Sequence, residues 1–243
     1  MKRITLLLIA LIAFCSDALA ATAPQPSDPK AIALMEQVVA TYQSLSNYRD
    51  RGRSVQTLKS HPSEKGTSTV VIDFVTLFKR PDKFRFSWTR TENFGDEPYT
   101  SKKNAIWSDG TKVWSLAIGD DAPVAEESFS MAVAGATGVS QGTALHVFRL
   151  LTDKVRGFRL DQLQGLKIVR SEIVSGIDCY VVHGSQYGEV DYDLWIGKQD
   201  HLIRKGVNTQ SDGNTASFER MDIVVNQDIA DSQFTETSRG KTR

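Results

Sequence analysis

Thr67-Ser68-Thr69-Val70-Val71-Ile72-Asp73-Phe74-Val75-Thr76-Leu77-Phe78 is followed, after Lys79-Arg80-Pro81-Asp82, by Lys83-Phe84-Arg85-Phe86-Ser87-Trp88. The first half is β-branched and aromatic. Val70, Ile72, Phe74, Thr76 and Phe78 share one face at the period of two that a strand imposes. Proline has no N–H for a central ladder, so Arg80-Pro81-Asp82 ends the strand. Phe84, Phe86 and Trp88 then alternate with Lys83, Arg85 and Ser87. A short break between two such strands predicts antiparallel neighbours.

Similar signals extend on both sides. Upstream, Ala31 to Leu45 carries Ile32, Met35, Val38, Val39, Tyr42 and Leu45 at helical spacing. Ser27 or Asp28 supplies a cap, with Pro29 in the first turn. Arg51 to Leu58 reads as a polar strand. Downstream, Ser101 to Trp107 and Lys112 to Ile118 flank Ser108-Asp109-Gly110-Thr111, an Asp-Gly hairpin turn. Gly119 to Gly142 is rich in Ala, Gly and Ser and reads as a short helix near Val124 to Ala134. Thr143 to Thr152 reads as a second amphipathic helix. Strands return at Lys167 to Ile173, Ile177 to Ser185, Glu189 to Ile196, His201 to Asn208 and Ala216 to Val225. No βαβ alternation appears. The expectation is an α+β chain with an antiparallel sheet of about ten to eleven strands.

The chain has 243 residues, with 29 basic and 29 acidic side chains. A net charge of zero argues against nucleic acid, which demands a dense basic face. Lys2 and Arg3, the apolar run Ile4 to Phe14 and Ala18-Leu19-Ala20 read as a cleaved secretory signal over residues 1–20. The run is too short to span a membrane. The bulky Phe14 before Cys15 argues against lipid attachment at that cysteine. Cleavage leaves Cys179 alone, so no internal disulfide forms. Residues 21–235 read as one exported domain and residues 236–243 as a disordered basic tail.

Chemistry is scarce. His61, His146, His183 and His201 form no pair with metal-ligand spacing. His183 alternates with Cys179 and Val181, which places it on the sheet's core face as a packed histidine. Asp191 and Asp193 share a strand face and read as solvated, with Tyr192, Leu194 and Ile196 opposite. Gly138-Val139-Ser140-Gln141-Gly142 matches the Gly-x-Ser-x-Gly nucleophile elbow. That turn belongs among parallel βαβ units, which are missing here, so a serine hydrolase at Ser140 is a remote alternative. No cofactor and no metal are expected. The conspicuous feature is apolar: Phe74, Phe78, Phe84, Phe86, Trp88, Trp107 and Trp114. Some of these must share the concave side of a curved sheet. An apolar cavity there gains ~0.8 kcal/mol per buried methylene of an acyl chain.

Two motifs occur in sequence: Phe78-Lys79-Arg80-Pro81-Asp82-Lys83-Phe84-Arg85-Phe86 and Trp107-Ser108-Asp109-Gly110-Thr111-Lys112-Val113-Trp114. Together they resemble the core of the LolA family, periplasmic carriers of lipoproteins to the outer membrane. Tyr42 to Tyr48 resembles the end of that family's first helix. Asp193-Leu194-Trp195-Ile196 with Leu202-Ile203-Arg204-Lys205 resembles its late strand pair, and Asn226 to Phe234 its closing segment. The resemblance implies an unclosed antiparallel β-barrel with a helical lid and an apolar interior. It implies that Arg80 holds the lid through backbone carbonyls and that Phe84 lies on the cavity side. It implies a periplasmic monomer whose ligand is a lipid or acylated lipoprotein. An inner-membrane donor complex and an outer-membrane acceptor would be its partners. A sensor on the same fold, reporting lipid or lipoprotein to a membrane partner, is the alternative. Thr91 to Lys103 and Gly119 to Gly142 are longer than in the family pattern.

Overall fold

The computed structural model describes residues 26–59, 67–93, 99–101, 103–117, 120–140, 142, 145–155 and 157–235. The expected signal segment, the tail beyond residue 235 and His61 lie outside these residues. Helix α1 (Pro29–Ser44) begins at Asp28, whose carboxylate accepts from the Lys30 amide at 2.9 Å. Its buried stripe is Ala31, Leu34, Met35, Val38 and Tyr42.

Then come β1 (Asn47–Lys59), β2 (Thr67–Lys79), β3 (Lys83–Asn93), the two-residue β4 (Tyr99–Thr100), β5 (Asn104–Asp109), β6 (Val113–Leu116) and β7 (Val124–Glu126). Two short helices follow, α2 (Phe129–Val139) and α3 (Leu145–Leu151). The chain closes with β8 (Gln164–Val174), β9 (Ile177–Gln186), β10 (Val190–Gly197), β11 (Ile203–Gln210) and β12 (Thr215–Val225).

All ladders are antiparallel and form one sheet in the order β7-β6-β5-β3-β2-β1-β12-β11-β10-β9-β8, with β4 beside β3. Among the described residues the edge strands β7 and β8 do not pair, so the curved sheet stays an open barrel. This is the expected class: among the described residues the sheet runs through eleven strands, within the ten to eleven expected, with the short β4 beside β3 as a twelfth. The added β4 and β7 are two and three residues long. Three residues cannot display an alternation, and Val124–Glu126 was accordingly expected to open a helix. The helix instead starts at Phe129, capped by Ser128.

The period-two reading of β2 and β3 sets the register. Phe78 lies opposite Phe84, Thr76 opposite Phe86 and Phe74 opposite Trp88. Their side chains face inward, and α1, α2 and α3 close over them to form the main core. The outer face carries smaller clusters. Leu77 packs with Ile229 and Phe234 of the C-terminal segment, which folds back over β3 and β5. Cys179, Val181 and Trp195 form another cluster on the far half.

Two glycines let aromatic rings lie against the sheet. A Cβ at Gly52 would collide with the Phe74 ring and the Glu219 main-chain oxygen. One at Gly206 would collide with the Phe218 ring. Gly52 is paired with Phe74 on one side and with Arg220 on the other. This brings an aromatic ring and a guanidinium together above one bare backbone position.

Candidate functional site

The inner face is the natural site, because the largest apolar side chains converge there. Of the seven aromatic residues singled out in the sequence, Phe74, Phe78, Phe84, Phe86 and Trp88 are buried in the main core. Phe74, Phe86 and Trp88 form a row, with centroids 5.7 Å apart for Phe74–Phe86 and 5.3 Å for Phe86–Trp88. Trp107 and Trp114 are not with them. They pack with Ala105 and Leu116 as a separate cluster, with the Arg85 guanidinium 5.2 Å from the Trp107 ring. The reason is parity: Ile106 points inward on β5, so Trp107 points out.

Phe84 is where the sheet meets the helices. Its ring centroid lies 4.0 Å from Phe148 of α3 and 5.5 Å from Phe129 of α2. Phe129 and Phe148 stack at 4.9 Å with an interplanar angle of 13°. Three rings from three elements thus close this part of the interior. Among the described residues no main-chain hydrogen bond joins α2 or α3 to the sheet.

Helix α1 is held differently. Arg80 Nε donates to the Leu45 carbonyl at 2.7 Å, and Nη2 donates to Gln43 at 2.6 Å and Tyr42 at 3.2 Å. A cation thus meets the orphan carbonyls at the negative end of the helix. The guanidinium also stands 5.3 Å over the Phe78 ring. Tyr42 adds a tie to the sheet by accepting from the Ile203 amide at 3.1 Å. Burial pushes its phenol up to about 12.

Beside α1 a groove of about 420 Å³ runs between the helix and the start of β8. It is lined by Ile32, Met35, Val39, Ala40 and Leu166, with Glu36, Gln43 and Asp161 at its polar side. Its volume is in the range of ordinary small-molecule sites, roughly 300–1,000 Å³. Met35 and Leu166 belong to the main core, so the groove borders the interior.

One feature of the inner face escaped the sequence reading. Asp50 of β1 and Arg220 of β12 are an ion pair with side-chain exposures of 0% and 1%. The Tyr48 hydroxyl donates to Asp50 Oδ2 at 2.5 Å. Burial opposes the Arg220 charge, but Asp50 and the two tyrosines outweigh it and hold its proton tightly. Burial, then Asp50, pushes the Tyr48 phenol well above its ordinary value.

His146 reaches down from α3 and stacks on Phe218 of β12, centroids 4.1 Å apart. Burial and the nearby Arg220 push its imidazole down to about 3, so it is neutral. Arg220 Nε, Asp50 Oδ1 and His146 Nδ1 are shut off from solvent without a hydrogen-bond partner. A buried Tyr-x-Asp on a strand's inward positions is a local signal, but its partner is 170 residues away.

The other candidates separate from this site. His183 is on the outer face and half exposed, with Nδ1 2.9 Å from Asp193 Oδ1. Cys179 and Val181, which share its face, pack outside the main core, and this explains the departure from the inward position expected. Ser140 is fully buried at the C-cap of α2, its amide bonded to Ala136 and its Oγ without a partner. It occupies no strand-to-helix elbow. Among the described residues no three His, Cys, Asp or Glu side chains converge as metal ligands.

The model of a family described as "Predicted periplasmic protein (DUF2092)" matches residues 31–239. The chain belongs to this family. The family description agrees with the periplasmic location expected from the N-terminal segment. No described helix is long and apolar enough to cross a membrane. No curated protein matches the sequence. Among solved structures, LprF from Mycobacterium bovis is similar at a TM-score of 0.50 and 11% identity, over 84% of this chain and 97% of that one. An uncharacterized conserved protein from Thermus thermophilus is similar at 0.49 and 11%, over 87% and 96%. A LolA superfamily protein from Nitrosomonas europaea is similar at 0.34 and 14%, over 85% and 97%. The likeness to LprF shows a shared fold. The DUF2092 chain has the open barrel with helices over its apolar face that the LolA-like motifs imply.

Proposed function

We propose that this DUF2092 protein is a non-enzymatic periplasmic carrier. It binds the acyl chains of a lipid or lipoprotein between sheet and helices and moves them toward the outer membrane. The observation that carries the reading is the Phe84–Phe129–Phe148 contact, an apolar seal made by side chains between a sheet and two short helices. Separating α2 and α3 from Phe84 opens an apolar surface without breaking a main-chain bond to the sheet. An acyl chain then replaces the rings at ~0.8 kcal/mol per methylene. The groove beside α1 is the way in. Phe74, Phe78, Phe84, Phe86 and Trp88 are the surface the chain covers, and Trp107 and Trp114 have no part in it. Arg80 keeps α1 docked while the other helices move. Cargo comes from a donor at the inner membrane and passes to an acceptor at the outer membrane.

The test is mass spectrometry of lipid retained by protein purified from a periplasmic fraction, followed by uptake of an acylated ligand. The wild type is expected to carry lipid. Phe84→Glu is expected to carry none while keeping its β-sheet circular dichroism. Lipid-free wild type that ignores acylated ligand refutes the reading.

A further inference from the structure

The interior just assigned to acyl chains has a polar floor. Arg220 and Asp50 lie beneath α3, against Phe74 and Phe218, whose ring centroids are 5.0 and 5.7 Å from the guanidinium. One bond joins the pair, Arg220 Nη1 to Asp50 Oδ2. That leaves Nε as an unused donor and Oδ1 as an unused acceptor, both closed to solvent. An unmade bond of this kind leaves the group's desolvation uncompensated, and the penalty is larger for a charged group. Natural interiors rarely leave such groups unpaired without a role. The pair lies where a ligand's end would rest if α3 were displaced, because His146 of α3 covers the Phe218 ring from above.

The chemistry of the vacant bonds selects the ligand. Arg220 and Asp50 cancel in charge, so an anionic head would bring an uncompensated and therefore costly charge into the core. An ester or hydrocarbon end offers no donor to Oδ1. A neutral group with both a donor and an acceptor fits both atoms. Resting on the carrier reading above, we propose that Arg220 and Asp50 recognise the uncharged polar end of an acyl-chain ligand, a hydroxyl or a carboxamide, which enters head first beneath α3. The carboxamide form occurs in N-acylated peptides, the hydroxyl form in acylglycerols.

The experiment compares four probes of equal chain length on the full protein by tryptophan fluorescence titration. They are N-hexadecanoyl-alaninamide, monohexadecanoylglycerol, methyl hexadecanoate and, at pH 8, hexadecanoate. The amide or the glycerol ester is expected to bind at least about tenfold tighter than the methyl ester and the anion. Whichever of the two is tighter names the ligand source. In the neutral double variant Asp50→Asn/Arg220→Gln that preference is expected to fall to about threefold or less, with methyl-ester binding retained. Replacing a buried pair together avoids leaving one charge stranded. The wild-type ratios stand as a test even if the variant does not fold. Equal binding of all four probes, tightest binding of the anion, or a preference that survives in the folded double variant overturns the proposal alone. Binding of none of the four overturns the carrier reading, and this inference with it.

Discussion

Lowering the pH should loosen α3 through one side chain, His146. Its neutral imidazole is stacked on Phe218. The charged group acting on it is Arg220, from the same strand as Phe218. Burial and the Arg220 charge hold the imidazole at about 3, against an ordinary 6.5 when α3 is released. The charged form is therefore penalised only in the closed state. Stability from this residue is complete above pH 6.5 and is lost as the pH falls toward 3. At pH 5 the loss covers about 1.5 pH units at roughly 1.36 kcal/mol each, about 2 kcal/mol. That is an upper value, because His146 is only partly buried as a residue. The assay is urea unfolding of wild type and His146→Phe between pH 7.5 and 4.5, with hydrogen exchange of α3 as a local readout. Phe keeps the stack and cannot titrate, and every other titrating group cancels in the difference. Wild type should lose up to about 2 kcal/mol more than the variant by pH 5. Parallel pH profiles would refute the assignment of a buried neutral imidazole.

Arg80→Ala removes three hydrogen bonds to the end of α1 and should cost about 1.5–3 kcal/mol in urea unfolding. Arg80→Lys should recover only part of this, because an ammonium lacks the planar fork. Gly52→Ala drives a methyl into the Phe74 ring and the Glu219 oxygen, so about 1–3 kcal/mol should be lost, read as a lower urea midpoint. Phe148→Ala empties the place between Phe84 and Phe129 and should cost about 3–5 kcal/mol, with faster hydrogen exchange in α2 and α3 and little change in α1.

The sheet was legible wherever a strand was long enough to alternate. β2, β3 and the hairpin at Asp109-Gly110 came from period and turn chemistry, and α1 came from its stripe and the Asp28 cap. The three-residue β7 was not legible, because pairing with β6 and not its own pattern makes it a strand. Which face a strand turns inward was harder. Trp107 and Trp114 are as apolar as Phe86, and the alternation of β5 is equally satisfied with either face inward. Only its register against β3, with Ile106 opposite Phe86, decides. His183 failed similarly: β9 carries apolar residues on both faces. The polar floor was least legible, since Asp50 and Arg220 meet only through the β1–β12 ladder.

Helices α1, α2 and α3 are held by unlike forces, and on the carrier reading proposed above this divides the lid into a fixed part and a movable one. α1 is tied by the Arg80 fork, by the Tyr42–Ile203 bond and by the Asp28 amide, which donates to Leu166 of β8 at 2.7 Å. These are directional bonds, and losing any of them leaves a main-chain group to be re-satisfied. α2 and α3 rest on side-chain packing, the Phe129–Phe148 stack together with Ala132, Val133, Ala136, Val147, Leu150 and Leu151. Aromatic pairs add ~0.5–1.5 kcal/mol beyond their burial, and a fully buried phenylalanine adds ~1.5–3 kcal/mol. Against that, closing α3 over Arg220 and Asp50 keeps two charged groups short of a bond, at ~1–3 kcal/mol each or more. This offsets only part of what closing α3 gains, because Val147, Phe148, Leu150 and Leu151 are all buried at ~1.5–3 kcal/mol each. The resemblance assigned the gate to Arg80. On the carrier reading proposed above, Arg80 is the hinge and the gate is the pair of helices that no main-chain bond among the described residues holds to the sheet.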